Sequence, residues 1–321
     1  MHKNFIPIAL LLALLWVVPT TAAQDATAEA TENPHEPLPQ EVIAMFDYDQ
    51  DSPLNIEEVS SEMRGDVEIK DITYTSPVDD SEISAYLIVP AGEGPFPGIL
   101  YVHWLENGDP TSNRTQFVDE AVGLADTDGV MSLLISTMWS EPNWYERRSL
   151  ATDYEDALQQ VIELRRALDV LFAQPQIASE RIAYVGHDFG AMYGSLMAGV
   201  DHRPIAYVMI AGASNFNHWM LFGVSSTTPG LDEYKAHMDE LAPTRFIGQA
   251  DAPVLFQFGT IDFYTPREDI DLFYAAAAEP KQLELYQSGH PMNLRQIQED
   301  RLAFLREQLG LEAGPLSKKQ F

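Results

Sequence analysis

Three residues that could carry out nucleophilic and acid–base chemistry each follow an apolar run that predicts a β-strand. Asp188 lies at the centre of residues 186–190 (GHDFG), and small and apolar residues at helical spacing follow this turn. Asp262 and His290 follow two later apolar runs. A carboxylate can attack carbon or orient water, a histidine can accept a proton, and a second carboxylate can orient the histidine. The pattern therefore predicts a reactive site with an aspartate in the central place.

The chemistry open to Asp188 depends on the substrate. A carboxylate that attacks an sp3 carbon forms an alkyl-enzyme ester, which water activated by a histidine can hydrolyse. Attack on an ester carbonyl would form a mixed anhydride, a much poorer intermediate, so with an ester substrate Asp188 would instead orient or deprotonate a water molecule. Asp188 could also serve only as the N-cap of the following helix. An N-cap alone does not explain the flanking glycines or the partners at 262 and 290, so we expect a functional role.

Strands that alternate with helices must position these side chains. Apolar strands are expected at residues 97–102, 130–136, 182–185, 205–210, 254–258 and 282–286, after a paired set at 67–74 and 83–89. Helices are expected after Asp188 and at residues 154–172, 268–278 and 296–309. This alternation predicts an α/β fold, with a mostly parallel central sheet flanked by helices on both faces. Sites in such sheets lie beyond the carboxyl ends of the strands, where all three residues would meet.

From about residue 65 to 310 the chain resembles the α/β-hydrolase superfamily and, within it, the dienelactone-hydrolase-like branch. The resemblance rests on residues 186–190, on 259–266 (GTIDFYTP) and on 288–290 (SGH). Nucleophile, acid and histidine follow one another in the order that this superfamily uses. The resemblance implies an α/β-hydrolase fold, and the short segment between residues 210 and 254 implies a minimal cap.

The chain departs from this branch at Asp188, because the branch uses Cys or Ser as its nucleophile. An aspartate in G-H-D-x-G is similar to the nucleophile turn of epoxide hydrolases and haloalkane dehalogenases. Those families carry H-G-x-P after the third strand and a large helical cap, whereas this chain has HWLE at residues 103–106. The overall plan thus resembles one branch and the turn resembles another.

The resemblance assigns a role to each of the three residues. Asp188 becomes the nucleophile or a water-orienting base, His290 the base, and Asp262 the acid that orients the imidazole. The backbone N–H groups of Phe189 and of either Trp104 or Leu105 are expected to form an oxyanion hole.

Several further residues near the predicted strand ends could belong to the site. Dienelactone hydrolases place a glutamate in the loop that holds Glu106, and if Glu106 approached Asp188 one of the two carboxyl pKa values would rise; the alternative is a solvated loop residue. His187 is expected to be a packing residue. His103 is expected to tie its loop together or to line a pocket. Four aromatic residues could line an apolar pocket or serve only as core: Trp139, Trp144, Tyr145 and Trp219.

Composition excludes several classes of function. The chain has 19 basic and 49 acidic residues and a formal net charge of −30, which disfavours nucleic acid and anionic membranes as partners. It has no cysteine, which excludes thiol nucleophiles and cysteine metal sites. We expect no metal and no cofactor, since H-E-x-x-H and paired histidines at ligand spacing are lacking. The oligomeric state stays open.

The first 23 residues are typical of a signal peptide. Lys3 precedes an apolar run at residues 5–18, Pro19 ends this run, and residues 21–23 (TAA) offer small side chains for cleavage. We expect the protein to be secreted or periplasmic and to have no membrane contact after cleavage. The alternative is an uncleaved membrane anchor.

The rest of the chain divides into three parts. Residues 24–52 are acidic, contain proline and are poor in aromatic residues, which predicts a disordered linker. Residues 53–313 are expected to form the hydrolase domain, and residues 314–321 a C-terminal tail.

The sequence is compatible with two functions. The first is an exported hydrolase that acts on a small, largely apolar molecule and cleaves an ester, an epoxide or a carbon–halogen bond. The second is a catalytically silent relative that binds a ligand or partner through the same pocket.

Overall fold

A computed structural model describes residues 36–106 and 113–311 of the chain. The predicted signal peptide, the first part of the predicted linker and the predicted tail at residues 314–321 lie outside the described residues.

The described residues form a mixed sheet of nine strands in the order β1-β2-β3-β5-β4-β6-β7-β8-β9. The strands are β1 (Glu57–Arg64), β2 (Val67–Thr75), β3 (Glu82–Val89), β4 (Phe96–Val102), β5 (Met131–Ile135), β6 (Ile177–His187), β7 (Ala206–Ile210), β8 (Val254–Gly259) and β9 (Lys281–Tyr286). Pairing is antiparallel from β1 to β3 and between β3 and β5, and it is parallel from β5 through β4 and β6 to β9. The crossing of β4 and β5 brings β4 next to β6.

Helices cover both faces of the sheet. They are α1 (Gln40–Ala44), α2 (Val118–Asp128), α3 (Trp144–Arg147), α4 (Asp153–Phe172), α5 (Phe189–Val200), α6 (Asn217–Met220), α7 (Leu231–Asp239), α8 (Pro243–Phe246), α9 (Arg267–Ala276) and α10 (Arg295–Gln308). Alternate residues of each strand point to opposite faces. Leu100 and Val102 of β4 therefore join a core with α4, α5 and α9, while Ile99 and Tyr101 join a second core with α2 and α10. The predicted fold class is confirmed.

Strand β1 was not predicted from the sequence. Every residue of β1 is exposed, so its sequence lacks the alternation of apolar and polar side chains that marks a half-buried strand. The strand is held by its antiparallel pairing with β2 at the edge of the sheet.

The prediction of a disordered linker is wrong for residues 36–52, which pack on the domain. Phe46 follows α1 and is fully buried, and its ring lies edge-on against Phe246 with 5.7 Å between ring centroids. The hydroxyl of Tyr48 donates to Asp169 at 2.7 Å. Average composition concealed these contacts because one or two aromatic side chains can anchor an otherwise polar segment. The domain therefore begins before residue 53.

Within residues 36–106 and 113–311, none of the helices is long and apolar enough to cross a membrane.

Candidate functional site

Asp188 lies on a sharp turn between β6 and α5. Its backbone has φ 61° and ψ −120°, a conformation that costs a non-glycine residue about 1–3 kcal/mol. The flanking glycines are required by close approach of the backbone. A Cβ atom on Gly186 would lie 2.4 Å from the carbonyl oxygen of Gly190, and one on Gly190 would lie 2.5 Å from that of Val102. The turn thus holds the Asp188 side chain just beyond the carboxyl end of β6.

The Asp188 carboxylate is nearly buried, with 4% of the residue exposed. Its Oδ2 accepts a hydrogen bond from the Leu105 N–H at 2.9 Å. Burial raises the pKa of Asp188 above its ordinary value, and His290 and the amides of Leu105 and Phe189 partly counteract this rise. The amides of Leu105 and Phe189, both predicted for the oxyanion hole, thus stabilise the Asp188 carboxylate itself. The Trp104 N–H, the other candidate, donates to Gln116 Oε1 at 2.9 Å instead.

His290 lies between two carboxylates. Its Nδ1 is 2.8 Å from Asp262 Oδ2, and its Nε2 is 3.8 Å from Asp188 Oδ2. The other oxygen of Asp262 accepts the Tyr264 N–H at 2.8 Å. Burial alone would lower the pKa of His290, but hydrogen bonding and attraction from the two aspartates raise it to about 9. The imidazole is therefore charged at neutral pH, and the structure brings the three predicted residues into one cluster.

A cavity of about 620 Å³ opens above this cluster, and Asp188 and His290 both line it. Aromatic side chains dominate its wall: Trp104, Trp139, Trp144, Tyr145, Phe189, Trp219, Phe222 and Tyr264. The ring of Phe189 packs edge-on against both Trp144 and Trp219. All four aromatic residues predicted for a pocket thus reach it. Among the described residues, no three His, Asp or Glu side chains are grouped to hold a metal ion.

His103 does not line the cavity, and its suggested place in the pocket is wrong. The side chain is buried, with Nδ1 2.7 Å from the Trp104 carbonyl oxygen and Nε2 2.9 Å from Ser140 Oγ. Burial lowers the pKa of His103 to about 4, so the ring is neutral and can accept the Ser140 hydroxyl proton while Nδ1–H donates to the carbonyl. His103 ties its loop to the segment after β5, which agrees with the expectation that it holds its loop in place.

Glu106 lies at the mouth of the cavity and is exposed. Water around an exposed carboxylate screens its charge from groups nearby. This position fits the solvated loop residue, and a role for Glu106 as a second carboxylate stays a prediction.

A hydrogen-bonded chain through Gln116, which was not predicted from the sequence, connects the loops of the site. Gln116 Oε1 accepts the Trp104 N–H at 2.9 Å, and its Nε2 donates to His187 Nδ1 at 2.6 Å. His187 Nε2 then donates to the His290 carbonyl oxygen at 3.0 Å. Burial lowers the pKa of His187 well below its ordinary value, so the ring is neutral and Nδ1 can accept. His187 is thus a packing residue, stacked on Trp104, that also links three loops.

No signal in the sequence pointed to Gln116. It lies in the segment before α2, away from every predicted strand end, and a glutamine has no chemistry of its own to single it out.

No family model matches the chain. Among curated proteins, 2,6-dihydropseudooxynicotine hydrolase of Paenarthrobacter nicotinovorans is 23% identical over 196 residues. The match covers 58% of this chain and 49% of that protein, so the chain spans about half the length of this relative.

Solved structures share the fold over most of the chain. Acetyl xylan esterase 1 from Thermoanaerobacterium sp. JW/SL YS485 has a TM-score of 0.68 and 16% identity, with 85% of this chain and 95% of that chain covered. 2,6-Dihydroxy-pseudo-oxynicotine hydrolase has a TM-score of 0.58 and 20% identity, with coverage of 77% and 70%. A Klebsiella pneumoniae protein assigned provisionally to the dienelactone hydrolases has a TM-score of 0.55 and 15% identity, with coverage of 75% and 98%.

Proposed function

We propose, from the premise that this chain has the α/β-hydrolase fold, that it is an exported hydrolase with Asp188 as nucleophile, His290 as base and Asp262 as the orienting acid. Its substrate is a small molecule with an electrophilic sp3 carbon, in a carbon–halogen bond or an epoxide. The observation that carries the proposal is the hydrogen bond from the Leu105 N–H to Asp188 Oδ2, beside the His290 ring at the base of the cavity.

The Leu105 amide favours a nucleophilic aspartate over an ester-cleaving site. If water attacked a bound ester directly, backbone amides would have to stabilise an oxyanion on the substrate. Here the Leu105 N–H already donates to the Asp188 carboxylate. In an alkyl-enzyme ester, the oxyanion of the second step forms on Asp188 itself, at the oxygen that this amide contacts. One amide therefore serves the resting state and the intermediate without moving.

The reaction has two balanced steps. In the first, one carboxylate oxygen of Asp188 forms a bond to the substrate carbon. A halide leaves with its bonding electrons, or the epoxide C–O bond breaks and its oxygen takes up a proton from water. In the second, water attacks Cγ of the Asp188 ester and gives a proton to His290. The bond between Cγ and the alkylated oxygen then breaks, and this oxygen takes the second proton of the attacking water and leaves as the alcohol. The oxygen of the water stays on Cγ and restores the Asp188 carboxylate.

The two reaction steps require His290 to be charged in the resting enzyme and neutral after alkylation. In the resting enzyme the two aspartates raise the pKa of His290 to about 9. Alkylation removes the negative charge of Asp188, so the pKa of His290 falls and the imidazole can lose its proton and act as a base. Asp262 then stabilises the imidazolium that forms when water is deprotonated.

A covalent trap tests this proposal. His290→Gln should leave alkylation intact and block hydrolysis, so 1-bromobutane or styrene oxide should accumulate as an adduct on the peptide that holds residues 186–190, as measured by mass spectrometry. The double variant His290→Gln/Asp188→Asn is the matched control and should form no adduct. If Asp188→Ser gains activity on 4-nitrophenyl acetate, and no electrophile labels His290→Gln, the nucleophile proposal is wrong and the wild type is a silent relative.

Export is a separate part of the proposal and rests on residues 1–23. N-terminal sequencing of the protein released from expressing cells should begin near Gln24. Full-length protein in the membrane fraction would instead support the uncleaved anchor.

A further inference from the structure

The cavity above Asp188 combines aromatic walls with acidic side chains. Its outer wall is formed by Trp144, Tyr145, Phe222 and Tyr264, and three glutamates line it as well: Glu106, Glu141 and Glu146. None of the described residues that line the cavity is lysine or arginine. A purely apolar substrate would gain nothing from the glutamates, whereas a cation would interact with both parts of this lining.

We infer that the substrate of this site carries an ammonium or other amine cation close to its electrophilic carbon. The identity of the reacting group rests on the proposed function, but the binding of the cation does not. The aromatic rings hold the cation by cation–π attraction, and the carboxylates supply the opposite charge.

The protein already places a cation on one of these rings. The guanidinium carbon of Arg148 lies 4.7 Å from the centroid of the Tyr145 ring. The charge of Arg148 is paired with the buried carboxylate of Asp153, so this arginine does not act as an unpaired positive charge beside the cavity. One face of the Tyr145 ring is thus already in contact with a cation.

The charge balance in the cavity is negative even with His290 protonated. Four carboxylates line the cavity, Glu106, Glu141, Glu146 and the nearly buried Asp188, against the single imidazolium of His290. The chain as a whole carries a formal charge of −30. Such a field raises the local concentration of cations and speeds their entry. Since the three glutamates are exposed, salt should weaken this part of the attraction.

Choline and 3,3-dimethylbutan-1-ol test the inference, because they have the same shape and differ in charge. Neither has a leaving group, so binding is measured without turnover, by tryptophan fluorescence and titration calorimetry on the wild type. At low ionic strength choline should bind about tenfold or more tightly than the neutral alcohol. The preference should decrease as salt is added.

Three variants separate the contributions. Glu141→Gln/Glu146→Gln and Trp144→Leu should each reduce the preference for choline over the neutral alcohol several-fold. Glu57→Gln, on the exposed edge strand β1, is the matched control and should leave both affinities unchanged. Equal or tighter binding of the neutral alcohol by the wild type would overturn the inference, as would a preference that both cavity variants retain.

The two proposals fail independently. A preference for choline without any covalent adduct would overturn the reaction and keep the cation site. An adduct with neutral electrophiles and no preference for choline would overturn the cation site and keep the reaction.

Discussion

Gln116→Glu keeps the size of the side chain but removes the donor that sets the protonation of His187. The Trp104 N–H can only donate, so it fixes Oε1 of Gln116 toward Trp104 and Nε2 toward His187 Nδ1. The proton of neutral His187 must then be on Nε2, where it donates to the His290 carbonyl oxygen. A carboxylate at position 116 would accept from Trp104 but could not donate to His187.

The variant leaves His187 with two unfavourable choices at neutral pH. If the ring carries its proton on Nδ1 to donate to the new carboxylate, its Nε2 lone pair faces the His290 carbonyl oxygen and a buried hydrogen bond is lost, at a cost of about 1–3 kcal/mol. If both nitrogens are protonated, both bonds form, but a buried ring must carry charge. Burial holds the pKa of His187 low in the wild type, and the carboxylate raises it in the variant.

The sign of the pH dependence follows from this rise. A folded-state pKa that is raised relative to the wild type stabilises the variant at low pH, and the stabilisation is lost as the pH rises through that value. Urea unfolding should therefore show a deficit of Gln116→Glu against the wild type that is larger at about pH 8 than at about pH 5.5. Gln116→Leu removes both bonds and should show a deficit that does not depend on pH in this way.

The kinetics of Gln116→Glu should distinguish the two reaction steps. When His187 no longer donates to the His290 carbonyl oxygen, the His290 loop is displaced. This displacement impairs water activation, which needs His290, more than alkylation, which does not. An alkyl-enzyme ester should thus accumulate in Gln116→Glu at high pH, with a lower kcat and a smaller change in kcat/KM. A deficit in stability that is equal at both pH values, or that grows as the pH falls, would refute the assignment of the His187 tautomer.

Two further predictions concern the nucleophile and the N-terminal segment. Asp188 must be ionised to attack, and burial raises its pKa above the ordinary value. The rate of adduct formation should therefore decrease as the pH is lowered through this raised pKa. In His290→Gln the decrease should occur at higher pH, because the imidazolium no longer lowers the pKa of Asp188. A decrease that occurs at lower pH in the variant would contradict the coupling. Phe46→Ala should cost about 3–5 kcal/mol in urea unfolding, against almost nothing for Val59→Ala on the exposed strand β1; a cost below about 1 kcal/mol would mean that residues 36–52 do not stabilise the domain.

The fold and the reactive cluster were accessible from the sequence because both depend on the strand pattern. Buried parallel strands read as continuous apolar runs, so β4, β5, β7 and β8 were predicted to within one residue at each end. The prediction for β6 lacked its first five and last two residues. The carboxyl ends of parallel strands meet at one edge of the sheet, which is why the sequence alone could group Asp188, Asp262 and His290.

The features that the sequence did not reveal depend on contacts between distant segments. Phe46 reaches Phe246 across 200 positions of the chain, and no local pattern marks such a pair. Gln116 acts through the Trp104 amide and the His187 ring, and its effect depends on the direction of two hydrogen bonds. The sequence also left open whether the Trp104 or the Leu105 amide contacts Asp188. The Trp104 N–H donates to Gln116, and the Leu105 N–H donates to Asp188.

The backbone of Asp188 offers a last test of whether the turn serves chemistry. The residue holds φ 61° and ψ −120°, which glycine adopts without strain, and it buries a carboxylate whose pKa burial raises. If the turn served packing alone, glycine would suit this position better than aspartate. Because glycine relieves the backbone strain and asparagine keeps it, Asp188→Gly should be about 1–3 kcal/mol more stable than Asp188→Asn. Neither variant should form an adduct. If Asp188→Gly is instead less stable than Asp188→Asn, the side chain at position 188 supports the fold through its contact with Leu105, and the strain at this turn is no argument for a reactive aspartate.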